Sequence, residues 1–212
     1  MNVNIPTKEE MYHALEDRHG SDFQKKIAKA SAAVCGLGGL GSNIAISLAR
    51  AGIGRLHIID FDKVDISNLN RQQYFADQLG EFKTKALADT LSRIAPYCEI
   101  MPHCVKLTEE NIPDLLKNDD VICEAFDAAE QKAMLVNCIL EKLPEKYLIS
   151  GSGMAGIGSA NLIKTRKITN HFFVCGDESS DVDDAGSLVS ARVMVCAAHE
   201  ALMAIKIITE NI

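Results

Sequence analysis

The sequence contains no cysteine pair at C-x-x-C spacing, no excess of positive charge, no internal repeat and no low-complexity tract. Each absence excludes something. Seven cysteines (Cys35, Cys98, Cys104, Cys123, Cys138, Cys175 and Cys196) form an odd set, mostly inside apolar runs. That pattern predicts reduced, buried thiols in a cytoplasmic protein and excludes zinc of the four-cysteine kind. Lys and Arg total 22 against 29 Asp and Glu, a formal charge of −7, with a pI near 5.4. A long-range field that draws in nucleic acid or an anionic membrane is therefore not expected, so any bound anion is gripped locally. The opening segment MNVNIPTKEEMYHALEDRHG has neither a basic n-region nor an apolar h-region, so no secretory signal is expected. The longest uncharged stretch, residues 30–49, has the length of a membrane span but is broken by Gly36, Gly38, Gly39 and Gly41. With no Pro/Ser-rich linker, the expectation is a single domain over residues 1–212 with an N-terminal helical arm over 1–30.

What is present is globular: 212 residues, 47% apolar and 24% charged, with a mean hydropathy of +0.03. A chain of this length removes roughly 70% of its unfolded surface from water. Residues 7–31 are polar and helical in character, with a break at Gly20. Short apolar runs at 32–36, 55–60, 98–104, 120–126 and 146–150 then alternate with helix-period segments near 40–51, 83–95, 109–117 and 128–142. Strand and helix in turn predict a Rossmann-like α/β fold, with a parallel-rich sheet and helices on both faces. After Gly151 come two further strands at 161–165 and 171–175, a small antiparallel extension, an acidic loop over 176–186 and a long final helix over 188–210. That helix is apolar around most of its circumference, which predicts a subunit interface as well as a core contact.

The chemistry gathers where strands end. Gly36, Gly38 and Gly41 form G-x-G-x-x-G between the first strand and the first long helix. Glycine there allows the backbone to approach a phosphate at a helix N-terminus. Asp60 closes the next strand, 19 residues after Gly41, where an acid can hold ribose hydroxyls. Gly36, Asp60, Asp127 and Ser150 all fall at expected strand ends, and ligands of an open parallel sheet collect there. The segment 60–72 carries more polar residues than a short connection needs; Arg71 suits a bidentate phosphate contact and Asn68 a bridging one, while Asp65 and Ser67 suit turns and caps. Lys83 shares a helical stripe with Leu87, Leu91 and Ile94, whereas Lys85 lies with Asp89 and Ser92. Lys83 therefore points inward, and a cation in a helix's first turn opposes the dipole, so its purpose is a phosphate rather than the helix. Asp127 suits a magnesium ion held between phosphates, or a cap on the helix that begins near Ala128. A glycine turn, a ribose acid, two cations and a metal carboxylate describe ATP better than a dinucleotide. An NAD-dependent oxidoreductase and a non-catalytic carrier-binding module remain alternatives.

GLGGLG at 36–41, Asp60-Phe61-Asp62, SNLNRQ at 67–72, Lys83 and Asp127 resemble the adenylation core of the ThiF/MoeB and ubiquitin-activating-enzyme superfamily, over a span from about Arg18 to the C-terminus. KTKALADTL, EAFDAAEQKAMLV, SGMAGIGSANLIKTRKI and FVCGD are similar to a compact ThiF subfamily linked to thiamine biosynthesis. The resemblance implies ATP-dependent adenylylation of the Gly-Gly carboxylate of a small β-grasp sulfur carrier, ThiS-like, with pyrophosphate leaving. A molybdopterin-synthase-type carrier is the near alternative. It further implies that the glycine turn, Gly39 included, and Asp62 lie with the nucleotide, Asp60 at the ribose, Asn68, Arg71 and Lys83 at the polyphosphate, and Asp127 at magnesium. Arg18 resembles an arginine that such homodimers donate to the neighbouring subunit's site. The paired C-x-x-C motifs of many relatives are missing, so no structural zinc is carried over, and the loop 177–186 holds no cysteine; Cys175 lies at its edge.

Overall fold

The computed structural model describes residues 5–210; the rest of the expected N-terminal arm, residues 1–4, and residues 211–212 lie outside it. The arm is two helices, α1 (Lys8–His19) and α2 (Ser21–Ile27), broken at Gly20, whose φ is +86°. Thr7 and Glu10 close a reciprocal capping box at the start of α1. β1 (Ser31–Cys35), α3 (Gly39–Ala51), β2 (Arg55–Ile59), α4 (Lys83–Ile94) and β3 (Glu99–His103) build one half of the sheet. α5 (Ile112–Leu116), β4 (Val121–Glu124), α6 (Ala129–Lys142) and β5 (Tyr147–Gly151) build the other. β6 (Lys164–Lys167), β7 (Phe172–Gly176), α7 (Val182–Ala185) and α8 (Ser190–Glu210) follow.

The seven strands form one sheet in the order β3-β2-β1-β4-β5-β7-β6, parallel throughout except for the β6–β7 pair. The predicted α/β class, antiparallel extension and long final helix are all present. Because side chains alternate across a strand, the central strands feed two cores. Ala32, Val34, Leu56, Ile58, Cys123 and Ile149 meet α3, α4 and α8 on one face. Ala33, Cys35, Ile59, Ile122 and Leu148 meet α5 and α6 on the other. Buried polar groups within these layers are mostly paired, as burial demands. His57 is bonded to Asp119 at 2.9 Å and to His103 at 2.8 Å, which ties β2 to the edge strand. α8 packs along α3 and reaches β4 to β7. It buries Val193, Cys196, Ala197, Ala201, Ala204 and Ile207 but leaves Met194 and Leu202 exposed. Among the described residues no helix is long and apolar enough to cross a membrane.

Two expected elements are displaced. The strand expected at 161–165 begins instead at Lys164, because Ser159 caps a single 3-10 turn over Ala160–Leu162 before the chain extends. The helix expected over 109–117 spans only Ile112–Leu116. Asn111 Oδ1 accepts the Thr108 N–H and holds a turn there, and Pro113 starts the helix late.

Candidate active site

The strand order reverses between β1 and β4, and a crevice of about 900 Å3 opens at their carboxyl ends. Gly36, Gly38 and Gly39 line its floor at the start of α3. The turn is as tight as backbone permits: a Cβ at Gly41 would lie 1.8 Å from Gly36 O, and Gly36 itself has φ +90° with Ala125 O 2.8 Å from its Cβ position. Gly41 thus shapes the turn from behind. No side chain caps α3, so its first N–H groups are left for an acceptor in the crevice.

Asp60, 8% exposed, is committed to that turn. Its Oδ2 accepts the Leu37 N–H at 2.7 Å and its Oδ1 the Asp62 N–H at 2.8 Å. A carboxylate has about four lone-pair sites, so it braces the loop and retains acceptor capacity toward a ribose. Lys83 points inward, as its stripe predicts. Its Nζ lies 2.9 Å from Asp62 and 3.8 Å from Asp60, so two carboxylates hold it at the crevice. The segment after β2 folds on itself: Asp65 accepts from the backbone and hydroxyl of Ser67, and Asn68 accepts the Asp65 N–H. Arg71 Nη1 donates to Ser67 O at 3.1 Å and to Asn70 Oδ1 at 2.8 Å, and its stem lies over Gly39. Asn68, Arg71, Lys83 and Asp127 all line the same crevice.

Asp127 sits differently from expectation. β4 ends at Glu124, and Asp127 is three residues beyond it and exposed rather than buried. It does not cap α6, whose N-cap is Ala128 with no side-chain bond. The buried carboxylate at that strand end is Glu124, fully enclosed, and sequence reading passed over it. Glu124 accepts from Phe126 N at 2.7 Å, from the Ser150 hydroxyl and from Lys132, whose ammonium also donates to Gly151 O at 2.8 Å. Lys132 was legible by the reasoning applied to Lys83, since it shares a stripe with Leu135 and Ile139 near a helix N-terminus. Below Gly151 lies Glu200 of α8, wholly buried with both oxygens unpartnered among the described residues. Burial first, and the neighbouring Glu124 next, push its carboxyl well above the usual range.

Arg18 is not brought to this crevice. α1 docks through Leu15 against Gly52, at the far end of α3 from the glycine turn, a helix length of roughly 20 Å away for 13 residues. Arg18 is exposed there. Cys175 is buried, and burial, followed by Glu200, pushes its thiol up to about 12, so it is not poised as a thiolate. The acidic segment 177–186 overhangs the crevice with Glu178 to Val182 in its wall. Its base is pinned by a buried pair, Asp177 with Arg192 of α8. Burial raises the Asp177 carboxyl, but the N–H groups of Ser180 and Ser179, the Ser180 hydroxyl and Arg192 outweigh it and hold the group well below the usual range.

This geometry has known counterparts. The model of the ThiF family matches residues 12–211. The chain belongs to the ThiF family. It is 33% identical over 210 residues to the adenylyltransferase and sulfurtransferase MOCS3 of Anopheles gambiae, covering 91% of this chain and 44% of that protein. It is also 33% identical over 152 residues to the molybdopterin-synthase adenylyltransferase of Salmonella typhimurium, covering 70% of this chain and 60% of that one. The ThiF-family chain thus spans less than two thirds of the length of these relatives. The crystal structure of E. coli tRNA N6-threonylcarbamoyladenosine dehydratase, TcdA, in complex with AMP superimposes with a TM-score of 0.87 at 20% identity, over 100% of this chain and 99% of that one. That likeness shows the shared fold.

Proposed function

We propose that this chain is one adenylation domain that uses ATP to adenylylate the C-terminal Gly-Gly carboxylate of a small sulfur-carrier protein. The observation that carries this reading is the convergence of the glycine turn, Asp60, Arg71, Lys83 and Asp127 on one crevice. A carboxylate oxygen attacks the α-phosphorus of ATP, the bond from that phosphorus to the bridging oxygen breaks, and pyrophosphate leaves with its electron pair. The attacking group is already an anion, so no base is needed. The protein's work is alignment and neutralisation of charge as it passes to pyrophosphate. Arg71 and Lys83 stand where they can meet that charge. The structures of TcdA with AMP and with ATP support a nucleotide in this fold.

Asp127 fits magnesium. It is exposed within the crevice without a hydrogen-bond partner among the described residues, and this ion commonly takes only one or two carboxylates beside phosphate oxygens and water. When bound, the ion would offset phosphate charge. Arg18, remote from its own crevice, acts in that of a second copy, so the working unit is a homodimer. The partner is a ThiS-like carrier of thiamine biosynthesis, on the motifs of residues 83–91, 124–136 and 152–168. Likeness to molybdopterin-synthase adenylyltransferase favours a molybdopterin-type carrier equally in chemistry. The test is exchange of labelled pyrophosphate into ATP, with each carrier in turn. Carrier-dependent exchange is expected; its absence with both, or tight binding of NADH in place of Mg-ATP, overturns the reading.

A further inference from the structure

The crevice has two unlike halves. The half built from α3 and the segment after β2 contains Lys63, Arg71 and Lys83, balanced by Asp60, Asp62 and Asp65. The half built from the ends of β4 and β5 and the overhanging segment 177–186 contains Asp127, Asp181 and Glu178, the last paired with Arg166, and among its described lining residues the one cation is Lys132. An anionic tail that enters there meets the charges of Asp127 and Asp181, unpaired among the described residues, and Lys132 is the lining cation that can receive it.

Lys132 is also prepared for such a contact. An ammonium has three N–H donors. Glu124 and Gly151 O take two of them, which leaves one without an acceptor among the described residues, and the side chain keeps 26% of its surface exposed and lines the crevice. Its position is fixed from behind. Glu124 is itself held by Phe126 N and Ser150, which also disperse its negative charge, so little side-chain freedom is left to lose on binding. A cation in the first turns of α6 opposes the helix dipole, so helix stability does not account for it. Small residues, Ala128, Ala129, Gly151, Gly153 and Ala155, are among those that line the crevice with it.

We propose that Lys132 receives the terminal carboxylate of the acceptor protein and sets it in line with the nucleotide. This rests on the adenylylation reading above. It makes Lys132 the residue that distinguishes a C-terminal acid from its neutral analogue, separate from the groups that hold ATP.

The probes are a ThiS-like and a molybdopterin-type carrier, each prepared with its native Gly-Gly carboxylate and with a Gly-Gly carboxamide. Affinity is measured by calorimetry alongside pyrophosphate exchange. Wild-type protein is expected to bind its carboxylate carrier about 10-fold or more tighter than the amide, as for a hydrogen bond to a charged group. Lys132→Gln, which keeps a donor for Gly151 O, should lose that discrimination and raise the KM for carrier while its ATP affinity stays within about twofold, the scatter expected of a group apart from the nucleotide. Lys132→Arg should restore much of the discrimination. Retained discrimination in Lys132→Gln, or a parallel fall in ATP affinity, overturns the assignment of Lys132 alone. No exchange by the wild type with either carrier overturns the function and the assignment together.

Discussion

At the scale of single residues, two kinds of charge are placed around the crevice, and they predict opposite responses to neutralisation. Arg71 and Lys83 are fixed by oxygen partners at the crevice, so on the proposed adenylylation, removing either takes charge away from the transition state. Lys83→Ala and Arg71→Ala should each lower pyrophosphate exchange roughly 10²-fold or more, as for other preorganised electrostatic groups; exchange within twofold of wild type would sink these assignments. Glu200 is the reverse case. Its carboxyl is buried without a partner and its affinity for a proton is raised. A group whose folded pKa lies above its unfolded value lends stability below the unfolded value, near 4.5, and loses it as pH rises toward the folded one. Glu200→Gln removes that loss. The variant should therefore melt above the wild type at neutral and alkaline pH, with the gap closing near pH 4; thermal melts across this range measure it. Legibility at this scale depended on partners. The inward stripe of Lys83 is a property of helix geometry and was readable, whereas the commitment of Asp60 to Leu37 N depends on two loops meeting. The exchange of burial between Asp127 and Glu124 turned on where β4 stops, a matter of three residues.

At the scale of elements, the parallel core followed from alternation because each central strand must be apolar on both faces to lie between helix layers. The short pieces did not, since the turn that precedes each of α5 and β6 is held by one side chain, Asn111 accepting from Thr108 N and Ser159 from Asn161 N. The overhanging segment 177–186 shows why local pattern is insufficient. Its loop character is plain from composition, but its anchor is Arg192, on another element, which donates to Asp177, Gly158 O and Ser159 O at once. Arg192→Leu would leave Asp177 buried beside an apolar group, and stranding one member of a buried pair costs about 3–5 kcal/mol. The expected result is a lower Tm together with new cleavage within residues 177–186 in limited proteolysis; a fall in Tm with the segment still protected would mean that the pair is not its anchor. The same pair sets an acid limit. Because the Asp177 pKa is depressed, its contribution is present above the unfolded value near 3.9 and disappears as pH falls below it.

At the scale of the whole molecule, the polypeptide leaves one expected contributor at the wrong end of itself. Arg18 is exposed on α1, which docks through Leu15 at the C-terminal end of α3, while the crevice residues gather at its N-terminal end, and the α8 surface carries Met194 and Leu202 in the open. In a two-fold homodimer each subunit can lend an arm to the other's crevice, so site composition depends on which chains meet. Arg18→Ala and Lys83→Ala should each be inactive alone, for different reasons. In a mixed dimer the Arg18→Ala subunit supplies an intact crevice and receives Arg18 from its partner, while the second site carries both defects. Random mixing of equal amounts makes half of the dimers mixed, each with one working site, so exchange should return to about a quarter of the wild-type level for the same total protein. Mixing after subunit dissociation, followed by the pyrophosphate exchange assay, measures this directly. Recovery near that level places Arg18 across the interface. An active Arg18→Ala protein, or a mixture no better than its parts, places the arm outside the chemistry.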